Sequence, residues 1–325
     1  MKALYSLILL LLISAISSKT KEQWKNRSIY QLLTDRFART HNTGNCNYYK
    51  YCGGSYRGII NKLDYIKGMG FNAIWISPII ENYPDSYHGY HLTNLYAVNT
   101  HFGSEDDLVA MIAAAHAKDI WVMVDVVANH VGPVGTDYSR ITPFNRAEHY
   151  HDYCIINNYQ DPWQAENCRL CDLPDLKQEN DWVTQKLVDW IADIVKKYNF
   201  DGIRIDTIME VPKWFWDKFR AAAGVFQIGE AFDGRLDFVA DYQNHLDSVF
   251  NYPLYYTIQD SFCGSFRNLE SYWFNSRSHF PALNISYYDY LECLLLAFDI
   301  FVLNYLYLIS YYFLYYFFLH CFFFE

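Results

Sequence analysis

The sequence is poor in charge, and in positive charge above all. Charged residues fill 19% of its 325 positions, and 26 Lys and Arg stand against 36 Asp and Glu, a formal net charge of −10. No block of Lys or Arg is present to neutralise a phosphate backbone, so no nucleic-acid partner is expected. No Gly-x-Gly-x-x-Gly opens a strand-helix unit, which leaves no dinucleotide fingerprint, and neither an internal repeat nor a flexible linker divides the chain. Apolar material is plentiful: at 52% hydrophobic the chain can build the core of one large domain or two, which excludes intrinsic disorder for most of it. The 30 Tyr and 23 Phe exceed what a soluble domain carries, and much of that excess lies at the C-terminus.

Both ends read differently from the body. Residues 1–18 carry Lys2, an apolar run from Leu7 to Ile13 and small residues up to Ser18, the pattern of a secretory signal peptide cleaved near Ser17 or Ser18. That run is too short to span a bilayer, so a secreted, extracellular protein is expected. Secretion permits disulfides among the eight Cys. Cys46 with Cys52 and Cys154 with Cys168 are the local candidates, and Cys168-x-x-Cys171 reads as one disulfide cysteine and one spare rather than a zinc or redox pair. Asn26-Arg27-Ser28 and Asn284-Ile285-Ser286 are glycosylation sequons. From Tyr305 to Phe324 the only ionisable side chains besides the tyrosines and Cys321 are those of His320, which suits a membrane anchor by length. Tyr and Phe run through the whole segment instead of marking its two ends, which favours translated non-coding DNA over an anchor.

In the body, short β-rich apolar runs alternate with amphipathic stretches, as in a parallel sheet covered by helices. The runs are Ser28–Phe37, Ala73–Ile79, Trp121–Val127, Gly202–Thr207, Phe226–Phe232 and Ser248–Tyr255. Ser104-Glu105-Asp106-Asp107 starts a helix that ends near Lys118, with Leu108, Ile112 and Ala115 on its inner face. Val183, Leu187, Trp190, Ile191, Ile194 and Tyr198 form the face of another, which should stop at Asn199 to Gly202. This spacing favours a (β/α)8 TIM barrel, α/β in class, recognisable as far as its sixth strand. The expected divisions are a barrel part over 19–132, an inserted subdomain over 133–180 after the third strand, a second barrel part over 181–270, and a Tyr/Phe-rich tail over 271–325.

In a barrel the C-terminal strand ends face the active site. Three of them carry acids here: Asp125-Val-Val-Ala-Asn129-His130, Arg204-Ile-Asp206 and Gly229-Glu230. Period two puts Arg204 and Asp206 on one side of their strand, so the guanidinium can hold the carboxylate ionised, as a nucleophile requires. Glu230, its proton affinity raised by the neighbouring charge, would then be the proton donor. Two carboxyls about 5 Å apart hydrolyse a glycosidic bond with retention. A lone strand-end acid is more often an ion pair or a cap, but three on successive strands point to a cleft. Tyr87-His88-Gly-Tyr90-His91 suits stacking on sugar rings.

These motifs, with Leu173-Pro-Asp175-Leu, resemble the α-amylase superfamily of glycoside hydrolases, in particular the secreted fungal-type α-amylases, from about Trp24 to Tyr256. The resemblance implies endo-acting, retaining hydrolysis of α-1,4-glucosidic bonds in starch, glycogen or malto-oligosaccharides by a monomer. It makes Asp206 the nucleophile and Glu230 the general acid/base, with His88, Tyr90, His130 and Arg204 lining the subsite for the attacked sugar. It also implies a Ca²⁺ held by Asn129, Glu166, Asp175 and the main-chain oxygen of Glu210, and the disulfides Cys46–Cys52 and Cys154–Cys168. Two features depart from the family pattern. Met209-Glu210 stands where fungal-type enzymes continue Lys-His, and no Asn-His-Asp carrying the family's third acid follows Tyr256, since Asp289 and Asp299 lack that context. The alternatives are a catalytically impaired glucan-binding homologue, a related α-glucosidase, or a relative in membrane contact through its tail.

Overall fold

The computed structural model describes residues 19–40 and 45–263, with side chains through residue 259. The signal segment, the sequon at Asn284, Asp289, Asp299 and the tail over 271–325 lie outside the described residues. Compactness divides the chain into Met1–Tyr255 and Tyr256–Glu325. The first unit contains eight described strands: β1 Ile29–Gln31, β2 Ala73–Ile76, β3 Ile80–Asn82, β4 Leu92–Val98, β5 Trp121–Val126, β6 Gly202–Ile205, β7 Phe226–Gly229 and β8 Ser248–Val249. Of the second unit, only the helix residues from Tyr256 to Cys263 are described.

Strands β1, β2, β5, β6, β7 and β8 form one sheet in chain order, and every neighbouring pair is parallel. Each of the six expected runs contains one of them. A sequential order without reversal is that of a barrel, not of a doubly wound sheet. The sheet curls: Trp75 on β2 stacks on Phe250, just past β8, with ring centroids 5.5 Å apart although β5, β6 and β7 lie between their strands. The structure is thus a partial barrel, as the strand spacing implied.

The covering helices follow their sequence signals. Ser104 closes a capping box on Glu105–His116, which buries Leu108, Met111, Ile112 and Ala115. Asp181–Tyr198 buries the expected stripe and ends where Asn199 turns left-handed at φ 58°. At the N-terminal end of the sheet Trp24 acts as a plug. Its ring stacks on Phe226 at 5.2 Å and meets Trp121 edge-on at 5.1 Å, while its Nε1 donates to the Asp201 carbonyl at 3.2 Å. Gly202 makes room for it, since a Cβ there would lie 2.8 Å from Trp24 Cζ2 and 3.1 Å from the Phe226 carbonyl oxygen. With that end filled, the C-terminal strand ends are left for chemistry.

Four expectations need correction. The antiparallel pair β3–β4 was not anticipated; it carries the loop with His88 and Tyr90 between its strands. The run Ser248–Tyr255 is a two-residue strand followed by the helix Tyr252–Cys263, because a continuous apolar run does not distinguish strand from buried helix and Pro253 is tolerated in a helix's first turn. Likewise Thr34–Phe37, the end of the first run, is helical. Both local disulfides form, but Cys171 is disulfide-bonded as well and is no spare thiol. No helix among the described residues is long and apolar enough to cross a membrane.

Candidate active site

Register places the acids. Across β5, β6 and β7, Asp125 is paired with Arg204, Arg204 with Ile228 and Ile205 with Gly229. One residue beyond the strand ends the ladder continues: Asp206 N–H donates to the Val126 carbonyl at 3.0 Å and Glu230 N–H to the Ile205 carbonyl at 2.9 Å. Neighbouring strands lie about 4.8 Å apart, so Asp206 and Glu230 stand side by side on the C-terminal rim. Thr207, next in chain, is held left-handed at φ 49°, a strained conformation for a β-branched residue that turns the chain into Ile208–Glu210.

Arg204 is the hub of the rim. Its Nη1 donates to Asp125 Oδ1 at 2.9 Å and to Asp206 Oδ1 at 2.8 Å, and its Nη2 donates to Glu230 Oε2. Only 4% of it is exposed. Asp125 also accepts from Trp75 Nε1 at 3.0 Å and from the Tyr90 hydroxyl at 2.8 Å, and Glu230 Oε1 accepts from the Tyr252 hydroxyl at 3.0 Å. Three carboxyls thus share one buried guanidinium, with Asp125 fully enclosed and Asp206 and Glu230 open on one side, their side chains 12% and 19% exposed. Burial raises the proton affinity of Asp125, Asp206 and Glu230, and Arg204 opposes that rise in each.

For Asp206 desolvation is the largest influence and raises its proton affinity, while Arg204 comes next and favours the ionised carboxylate, as the sequence spacing suggested it could. The interaction between the two neighbouring carboxyls works in opposite directions on them, lowering Asp206 and raising Glu230.

The sugar-pocket candidates gather beside this cluster. Tyr90 N–H donates to His88 Nδ1 at 3.0 Å, and His130 Nε2 pairs with the Tyr90 carbonyl at 3.1 Å. Burial pushes His88 down to about 3, His91 to about 4 and His130 to about 4, so these imidazoles are neutral at pH 7. A histidine depressed by folding leaves stability intact above its unfolded value and loses it as pH falls through the folded value. Between pH 6.5 and 4, His91 alone withdraws at most about 3 kcal/mol. In urea titrations at pH 7 and 4.5, His91→Gln should therefore show a smaller drop in unfolding free energy than the unsubstituted chain; an equal drop would remove His91 as a source of acid sensitivity.

Of the four calcium candidates, three converge. The end of the Asn129 amide lies 2.9 Å from both the Glu210 carbonyl oxygen and Asp175 Oδ1. With the amide nitrogen on that side, both contacts are hydrogen bonds. With the oxygen there, three acceptors face one another with no donor between them, an oxygen set that suits a hard cation. Glu166 hydrogen-bonds to none of the three, although its helix, Pro162–Asn167, packs against the turn Ile208–Glu210. Among the described residues no three His, Cys, Asp or Glu side chains form a metal cluster. The Glu210 side chain itself is buried, and burial first, then Glu230 and Asp206, pushes it up to about 8.

Sequence reasoning missed Trp75 and Tyr252. Each carries a polar tip on a largely apolar ring, and such a tip needs a partner when buried. That rule singles out Trp75 in the strand pattern Ala-Ile-Trp-Ile, though not the acid it serves.

Residues 31–277 match the family model described as alpha amylase, catalytic domain. The chain is 46% identical over 253 residues to an alpha-amylase of Saccharomycopsis fibuligera, covering 72% of this chain and 51% of that protein. It is 43% identical to alpha-amylase 1 of Lipomyces kononenkoae, covering 77% and 43% of the two chains. Among solved structures, an alpha-amylase from Malbranchea cinnamomea aligns with a TM-score of 0.72 at 47% identity over 75% of this chain and 55% of that one. The alpha-amylase of Geobacillus thermoleovorans complexed with acarbose aligns at 0.68 and 36% identity, over 73% and 54%. The chain spans about half the length of these relatives.

Proposed function

Because this chain belongs to the alpha-amylase catalytic-domain family, we propose that it is a secreted, endo-acting glycoside hydrolase that cleaves α-1,4-glucosidic bonds of starch, glycogen or malto-oligosaccharides with retention. The observation that carries this reading is the Asp206–Glu230 pair on adjacent strand ends beneath Arg204.

In the first step a glucosyl unit lies between the two carboxyls. Asp206 attacks the anomeric carbon as the bond to the leaving oxygen breaks, and Glu230 gives its proton to that oxygen. The product is a glucosyl ester on Asp206. In the second step the Glu230 carboxylate takes a proton from water, the hydroxide oxygen bonds to the anomeric carbon, and Asp206 leaves as carboxylate. Tyr90, His88 and His130 line the pocket for the attacked sugar, and Arg204 holds both acids in place. Asn129, Asp175 and the Glu210 carbonyl would hold Ca²⁺, with Glu166 as the further ligand implied by the resemblance. Bound there, the ion ties the inserted segment to the strand ends.

Incubation with amylose and with cellulose tests the reading. Reducing ends should appear from amylose only, and iodine staining should fade well ahead of them, as endo cleavage requires. Release from cellulose at a comparable rate, or none from amylose, would refute it. The one other reading is glucan binding without turnover. Malto-oligosaccharide retention by the protein with no reducing ends released would establish that second reading.

A further inference from the structure

Asp175 sits in the middle of a local backbone ladder. On one side it bridges His130, with Val131 N–H donating to the Pro174 carbonyl at 3.1 Å and Leu176 N–H to the Asn129 carbonyl at 2.8 Å. On the other side His151 N–H donates to the Asp175 carbonyl at 3.1 Å, and Tyr150 bridges Leu176. Each neighbour also reaches one oxygen of the Asp175 carboxyl. From the first side, the Asn129 amide lies 2.9 Å from Oδ1; from the second, His151 Nδ1 lies 2.7 Å from Oδ2. The His151 ring is fixed a second time, because its Nε2 lies 2.9 Å from Glu179 Oε2. The His151 side chain is 7% exposed and that of Asp175 1%, whereas Glu179 stands at the surface at 42%.

We propose that Glu179 and His151 are positioning residues that hold the outer oxygen of Asp175, so that its inner oxygen faces Asn129 and the Glu210 carbonyl in the geometry a calcium ion takes. The inference rests on the calcium reading of those three groups. A carboxylate free to rotate about its Cβ–Cγ bond would present its inner oxygen only part of the time. Fixing the outer oxygen from the opposite side removes that freedom before the ion arrives. Partners of this kind behind a metal ligand are worth about 10- to 100-fold in affinity. The two contacts also tie the middle of the inserted segment, at His151, to its close, at Asp175 and Glu179.

Calcium titration of the whole protein by calorimetry, paired with thermal unfolding in chelator and in excess calcium, tests this. His151→Leu should weaken calcium binding about 10- to 100-fold. His151→Gln, which keeps a donor for Asp175, should recover part of the loss, and Glu179→Gln should weaken binding less than His151→Leu. In chelator the variants should unfold close to the parent, with the larger difference seen in calcium. If His151→Leu does not fold, the surface variant Glu179→Gln carries the test. Calcium affinity within twofold of the parent would overturn the proposal, as would an equal loss of unfolding temperature with and without calcium, the mark of a merely structural role. If the parent binds no calcium, or Asp175→Asn leaves its affinity unchanged, the calcium reading falls and this inference with it.

Discussion

Glu230→Gln should lower kcat on amylose by about 10²- to 10⁴-fold and leave KM nearly unchanged. Glutamine reproduces the protonated carboxyl in shape and in carrying one acceptor and one donor end. Its oxygen can still accept from Arg204, and the Tyr252 hydroxyl, donor and acceptor alike, adapts to the amide. What the amide lacks is a proton to give the leaving oxygen. The substitution therefore removes the transition-state role while keeping the pocket that binds sugar, and the effect belongs in kcat. A kcat within tenfold of the parent would rule out Glu230 as general acid.

Arg204→Met should be the most damaging single change to the fold around the site. The guanidinium is the only cation that contacts Asp125, Asp206 and Glu230 in the described structure, and it is 4% exposed. Methionine fills much of the volume and leaves the carboxyls uncompensated, a loss of about 3–5 kcal/mol for breaking a buried ion pair from one side. The loss depends on pH with a definite sign. Burial holds the folded carboxyls above their ordinary values, so without Arg204 the folded state binds more protons than the unfolded chain. Stability then falls as pH rises from the ordinary carboxylate range of about 4. Urea unfolding should show the variant partly rescued at pH 5 relative to pH 8, and a variant that gains stability as pH rises would contradict this electrostatic reading.

How much of this was legible beforehand depends on the range of the signal. Local signals carried through: the Ser104 capping box, the stripe from Val183 to Tyr198 with its left-handed stop at Asn199, and the six apolar runs, each holding a strand. The acids were legible because a parallel barrel sends every strand end to the same rim, so Asp125, Arg204, Asp206 and Glu230 could be brought together from order alone. Their proton affinities were not, because desolvation depends on what packs around them. Arg204 two residues from Asp206 announces their ion pair, but not that burial is the largest influence on the carboxyl. Contacts across long separations were silent for the same reason. Trp75 reaches Asp125 over 50 positions and Tyr252 reaches Glu230 over 22, and nothing in either local pattern names its partner. The Ser248–Tyr255 run misled because its apolar residues are continuous, and continuity carries no period.

The central claim is that Asp206 and Glu230 cleave an α-glucosidic bond by double displacement. Proton NMR of the anomeric region during the first minutes of malto-oligosaccharide hydrolysis tests it most directly. The newly formed reducing end should appear first as the α-anomer and drift toward the mutarotation mixture afterwards; first appearance as the β-anomer would mean inversion by a single displacement and would contradict the assignment of Asp206 as nucleophile.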